Sequence, residues 1–231
     1  MGTMKRAVLF DFDLTLADSI RGVVECVNYA LTKMGLPQAE HQAIRATIGL
    51  SLPATLARLT GLTDPILAKS FTANFVKCAD LRMVDLTSVF PDAHHAMHEL
   101  RQADIRTGIV STKYRYRIEA ILARDGLSDS FDVIVGGEDV AHHKPDPEGL
   151  YRALARIGLT SQDAVYVGDH PVDAMAASAA GISFIAVLTG NAVRRDFGEW
   201  ADTLFIERLP DLFPLLTANW GYQSRNSKRS S

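Results

Sequence analysis

Asp11 and Asp13 stand one residue apart in the stretch AVLFDFDLTLADS, directly after the apolar run AVLF at 7–10. An apolar run of this kind reads as a buried strand, and a buried strand gains nothing from two carboxylates at its end. More polar residues sit at comparable positions. Ser111 and Thr112 follow TGIV at 107–110, and Asp169 follows AVYVG at 164–168, with Asp173 four residues on. Lys144 lies in HHKPDPEG at 142–149. Asp11, Asp13, Asp169 and Asp173 in one small cleft would repel strongly. Two carboxylates about 4 Å apart do so by about 4 kcal/mol at an effective dielectric near 20, against a net domain stability of roughly 5–15 kcal/mol. A cation or a proton has to relieve this. The donors are all oxygen, with no Cys or His at zinc spacing, which favours Mg²⁺ completed by water and a substrate phosphate.

The lysine fits the same chemistry. Pro145 pushes Lys144 towards extended backbone, and Pro147 suits the first turn of a helix with Asp146 as its N-cap. An ammonium presented from so stiff a loop stabilises negative charge as it develops. Each residue has a plainer use as well. Asp13 or Thr15 could shape a turn, and Asp18 or Ser19 could cap the next helix. Ser111 and Thr112 could cap a helix from Tyr114, Asp169 one opened by Pro171, and Lys144 could be a solvated loop lysine. Their joint occurrence after successive strands is what argues for a site.

Elements that bring these residues together can be read from hydrophobic pattern. Apolar runs at 7–10, 107–110, 131–135, 164–168, 182–187 and 203–206 read as strands. Helical spacing occupies 92–102, 115–124, 147–157 and 171–180 between them. The pattern predicts an α/β fold, a doubly wound parallel sheet with a Rossmann-like core. Ligands of such sheets bind outside the carboxyl ends of the strands, where the polar residues fall. Region 17–85 differs. Ile20, Val23, Val24, Val27, Leu31 and Met34 keep helical spacing until Gly35 and Pro37, and Leu67, Phe71, Phe75 and Cys78 mark another helix. The expected division is a discontinuous α/β core of 1–16 and 86–222 with a helical unit, 17–85, inserted after the first strand. Linkers are expected near 15–19 and 82–90, and QSRNSKRSS after Tyr222 reads as a disordered tail over 223–231.

Bulk properties narrow the class. The 231 residues, 47% hydrophobic, suffice for one substantial core and a smaller unit. A net charge of −3 with interspersed signs gives no footprint for nucleic acid or an anionic membrane. Two cysteines, Cys26 and Cys78, read as ordinary thiols of a reducing compartment. No apolar run reaches the ~20 residues of a membrane span, and the first apolar stretch breaks at Asp11, too early for a signal peptide. These features predict a cytoplasmic protein, monomer or homodimer, without membrane or nucleic-acid partner.

DFDLT (11–15), Ser111 after a strand, KPDP (144–147) and GDHPVD (168–173) resemble the four motifs of the haloacid dehalogenase superfamily. The resemblance spans residue 7 to about 190. The insertion resembles that family's first-position cap, and its start together with TIGLSLP (47–53) is most similar to phosphoglycolate phosphatases and their relatives. It implies Asp11 as nucleophile, forming an aspartyl-phosphate, and Asp13 as acid, then base. It also implies Mg²⁺ on the Asp11 carboxylate, the Asp13 carbonyl and Asp169, supported by Asp173. Ser111, Lys144 and the Thr112 backbone would hold the phosphoryl oxygens, and Ile48, Gly49, Leu50 and Ser51 would contact the substrate. The dehalogenases proper lack the second aspartate, so Asp13 points to a phosphatase. The implied function is Mg²⁺-dependent hydrolysis of a small phosphorylated metabolite, phosphoglycolate first. A pyrophosphatase or a β-phosphoglucomutase-type phosphomutase on the same scaffold are alternatives, and a phospho-accepting signalling module is the remote one.

Three positions depart from the family pattern. Leu14 replaces a usual glycine, so its turn either avoids positive φ or accepts strain. Thr112 and His170 stand where Asn and Ser or Thr are common. Lys113 is a further candidate for substrate contact. His94, His95 and His98 share a helix but lack a third metal ligand and read as a solvated face, while His142 and His143 read as loop residues. Lys33, Lys69 and Lys77 in the insertion carry no Schiff-base motif, and Trp200 and Trp220 read as C-terminal packing.

Overall fold

The computed structural model describes residues 5–198 and 203–221; the expected tail at 223–231 and Trp200 lie outside the described residues. Strands β1 (Ala7–Phe10), β4 (Arg106–Val110), β5 (Val133–Val135), β6 (Ala164–Gly168), β7 (Ser183–Val187) and β8 (Leu204–Ile206) form one sheet in the order β5-β4-β1-β6-β7-β8. Every pairing in it is parallel. The chain therefore runs outward from β1 in both directions, and the strand order reverses there. Ligands of open α/β sheets bind at such a switch point, and Asp11 is the first residue past the end of β1.

Both faces of the sheet are covered, which is why its strands are almost uniformly apolar. Val8, Phe10, Ile109, Val165 and Ile185 pack with α5 (Pro91–Gln102), α6 (Arg115–Arg124) and α9 (Leu212–Trp220). Ala7, Leu9, Val110, Tyr166 and Phe184 pack with α7 (Glu148–Ile157) and α8 (Pro171–Ala180). The α9 helix went unread in the sequence, although Leu212 and Leu216 are fully buried. Trp220 at its end packs on the first cluster under the Lys5 ammonium, 6.0 Å from the ring centroid. No helix among the described residues is long and apolar enough to cross a membrane.

Helices α1 (Ile20–Lys33), α2 (His41–Arg45), α3 (Leu52–Thr60) and α4 (Pro65–Arg82) build a third cluster around Cys26, Leu31, Phe71 and Phe75. The segments expected as linkers pair with each other. Residues β2 (Ala17–Asp18) and β3 (Ser88–Val89) form a short antiparallel ladder, and the Phe90 N–H donates to the Leu16 carbonyl at 2.9 Å. Two residues on each side are too few to register as strands by pattern. Strand β5 is likewise shorter than its apolar run, because the Asp132 carboxylate turns back to accept the Thr107 N–H at 2.8 Å.

Candidate active site

Asp11, Asp13, Thr15, Ser111, Lys113, Lys144, Asp169 and Asp173 are all buried. The topology brings them to the carboxyl edge of β1, β4 and β6. Carboxylate oxygens of Asp11, Asp169 and Asp173 lie within 4.8 Å of one another. Lys144 Nζ sits among them, 3.0 Å from Asp11 Oδ1 and 2.6 Å from Asp173 Oδ1. The Asp173 contact is a hydrogen bond, whereas the Asp11 one is a charge contact that leaves Asp11 Oδ1 without a hydrogen bond. Thr15 Oγ1 donates to Asp169 Oδ1 at 3.1 Å. Lys113 Nζ lies 3.0 Å from Asp13 Oδ1, again with no aligned hydrogen bond. The Lys113 N–H donates to Ser111 Oγ at 3.3 Å.

Local structure explains these positions. The Lys144 loop is stiffened by its prolines, with a cis Lys144–Pro145 bond. Helix α7 starts at Glu148 rather than at Pro147, so Pro147 and not Asp146 is its N-cap; Asp146, one residue earlier, accepts the Glu148 N–H on Oδ1 at 2.9 Å. His170, not Asp169, is the N-cap of α8. Its Nδ1 accepts the Val172 N–H at 3.1 Å, while Asp173 Oδ2 accepts the His170 N–H at 3.1 Å. The departure at 170 therefore preserves a capping acceptor, and burial holds the imidazole below its ordinary pKa, in the neutral form that can accept. Leu14 takes the strained alternative, at φ 61°. Its side chain is buried, its N–H donates to the Ala17 carbonyl at 2.8 Å, and its carbonyl accepts from Thr189 Oγ1 at 2.5 Å. Gly190 backs the acidic cluster so closely that a Cβ there would lie 2.0 Å from Asp169 Oδ2.

Electrostatics reflect burial first. Loss of hydration pushes the Asp11 carboxyl up to about 6; Lys144 opposes this, and Asp173 and Asp13 reinforce it. Asp169 rises well above the usual carboxylate range for the same reason, with Asp173 and Asp11 adding to it. Burial works against the Lys144 charge, but Asp11 and Asp173 outweigh it and hold the ammonium far into its charged form. One lysine does not neutralise three carboxylates. An orphaned buried Asp11 oxygen beside two more carboxylates, all hard donors, is the arrangement that suits a divalent cation such as Mg²⁺.

Tyr166 is a site residue that pattern reading misses. Its hydroxyl donates to the Val110 carbonyl at 2.8 Å and stands 3.3 Å from both Lys144 Nζ and Asp173 Oδ1. Within AVYVG it reads only as a strand aromatic. A cavity of about 220 Å³ opens beside Asp13, between the sheet edge and the inserted helices. Thr112, Lys113 and His143 line it from the core, and Ile48, Gly49, Leu50 and Ser51 from the insertion. Lys33, Lys69 and Lys77 are exposed and do not line it, and His94, His95 and His98 lie on the exposed face of α5. Arg117, unread in the sequence, also lines this cavity.

The family model for haloacid dehalogenase-like hydrolases matches residues 8–187. The chain belongs to the haloacid dehalogenase-like hydrolase family. It is an enzyme of the phosphatase class, a phosphoric monoester hydrolase. Among curated relatives, phosphoglycolate phosphatase of Xanthomonas campestris pv. campestris is 32% identical over 90% of this chain and 95% of its own length. That of Pseudomonas putida is 29% identical over 92% and 80%. A solved haloacid dehalogenase-like structure from Bacteroides fragilis shares 42% identity, with TM-score 0.86 over 90% of this hydrolase and 99% of that chain. A Clostridium acetobutylicum structure at 19% identity and TM-score 0.87, covering 94% and 100%, shows the same fold.

Proposed function

We propose that this phosphatase hydrolyses a small phosphorylated metabolite through Asp11, with Asp13 as the proton carrier. An Asp11 oxygen attacks phosphorus, the bond to the leaving oxygen breaks, and that oxygen takes a proton from the Asp13 carboxyl. In the second half the Asp13 carboxylate accepts a proton from water. The resulting hydroxide oxygen bonds to phosphorus, and the acyl-phosphate bond breaks to return Asp11 and inorganic phosphate. Lys144, Ser111 and the Thr112 backbone hold the phosphoryl oxygens. The Asp11 carboxylate, the Asp13 carbonyl and Asp169 would hold Mg²⁺, and Asp173 supports them through Lys144 and the His170 N–H. Bound there, the ion supplies positive charge against the phosphoryl oxygens.

The observation that carries this reading is the Asp11 carboxylate. It lies at the strand-order reversal, buried, with one oxygen outside any hydrogen bond and an ammonium 3.0 Å away. Phosphoglycolate, the substrate named for the curated relatives, is the first to assay. We expect phosphate release from it and from p-nitrophenyl phosphate to stop with EDTA and return with Mg²⁺. Asp11→Asn is expected to lose at least about a thousandfold in kcat while remaining folded. Full activity in Asp11→Asn would overturn the assignment. A need for a sugar bisphosphate, without net phosphate release, would move the chain to the phosphomutases.

A further inference from the structure

Asp13 donates the proton to the leaving oxygen in the reading above, so the cavity beside it is where the rest of the leaving group goes. Its lining is mostly apolar, with Val27, Ile48, Leu50 and Phe75 among its walls. A charged leaving group brought into such a space needs a countercharge already in place. Three lining side chains can carry positive charge: Lys113, His143 and Arg117. Lys113 is taken up by Asp13 at 3.0 Å. His143 is held below its ordinary pKa by burial and is neutral at pH 7.

Arg117 is different. Its side chain is only 4% exposed. Its Nε and Nη2 both donate to Asp80 Oδ1, at 2.9 and 2.6 Å, and Nη2 also reaches the Val76 carbonyl at 3.4 Å. Nη1 has no hydrogen-bond partner among the described residues. Asp80 is half exposed, 45% by side chain, so water screens its charge and it offsets the buried guanidinium incompletely. Tyr114 and Tyr116 fix the plane, with ring centroids 4.9 and 5.1 Å from the guanidinium carbon. The result is a rigid, buried, half-used guanidinium on the wall of the leaving-group cavity.

We infer that Arg117 is a specificity-determining residue that binds an anionic group, of the carboxylate class, on the leaving alcohol. This rests on the phosphatase reading. The two committed nitrogens set the orientation and the third is left for substrate. A hydrogen bond from the charged Nη1 to a carboxylate is stronger than a neutral one, and the mostly apolar walls leave such a carboxylate few other partners. Because the carboxylate is remote from phosphorus, it is held about equally before and during reaction, and its effect falls on KM.

The test compares phosphoglycolate with its neutral isostere, phosphoglycolamide. Wild type is expected to favour the acid by about ten- to a hundredfold in kcat/KM, carried by KM, the range of one charge-assisted hydrogen bond. In Arg117→Gln the acid-to-amide preference is expected to fall to within about threefold of unity, and in Arg117→Lys to an intermediate value. Asp80→Asn, which removes the link to α4 and leaves the guanidinium, is expected to keep the preference. The inference is overturned if wild type shows no preference, or if both Arg117 variants retain it. It is also overturned if Asp80→Asn erases it as fully as Arg117→Gln, which would make Arg117 a strut. If wild type releases no phosphate from either substrate or from p-nitrophenyl phosphate, the phosphatase reading itself fails, and that outcome is distinct.

Discussion

The surroundings of Asp11 make its ionised form costly to bury. With a folded pKa near 6 against 3.8 for the free group, the stability it supports is full below about pH 4 and is lost as pH rises through 6. Asn at this position does not titrate. Metal-free Asp11→Asn should therefore gain on metal-free wild type as pH rises from 4 to 7, both because position 11 no longer titrates and because Asp169 loses a neighbouring charge that raises its pKa. Urea melts of both proteins in EDTA across that range measure the gap, and referencing one to the other cancels His143 and His170, which act with opposite sign. A gap that stays constant would show that Asp11 ionises normally. Lys144 is the converse case. Lys144→Met strands Asp11 and Asp173 in the interior without their cation, and removing one partner of a buried pair costs about 3–5 kcal/mol. The same melts at pH 7, without metal, should show that loss, and phosphate-release assays with Mg²⁺ should show turnover abolished relative to wild type.

At the scale of elements, the departures from the usual motifs have local causes that can be tested. His170→Ala removes the acceptor for the Val172 N–H and should cost about 1 kcal/mol in a denaturant melt, while His170→Ser should recover most of it. The parallel sheet and the cluster at its carboxyl edge were legible because their signals are strong: apolar runs that each end in a polar residue, at Asp11, Ser111 and Asp169. Tyr166 was not legible, since its packing explains it fully until the hydroxyl is seen beside Lys144. Helix α9 and the β2–β3 ladder were missed for want of length and period. Arg117 was missed because a charged residue in the run RYRIEAILAR reads as a solvated helix face; only its burial against Asp80 shows otherwise.

At the scale of the whole molecule, side-chain hydrogen bonds tie the inserted helices to the core. Arg117 and Tyr116 reach Asp80 on one side, and Asn191 Nδ2 donates to the Arg45 carbonyl at 2.7 Å on another. The latter lies just before the loop that carries Ile48 to Ser51. Asn191→Ala should leave the melting temperature within about 2 °C, as an exposed hydrogen bond contributes little. It should raise KM for the small substrate several-fold with kcat nearly unchanged, which steady-state kinetics will show. The β2–β3 ladder has a broader consequence. Because the chain departs and returns side by side, the sheet experiences everything between as a single closed loop, and lengthening such a loop adds little entropic cost. The material hung on this doorway can be rebuilt, enlarged or exchanged for another selector while the phosphoryl chemistry beneath it is inherited unaltered.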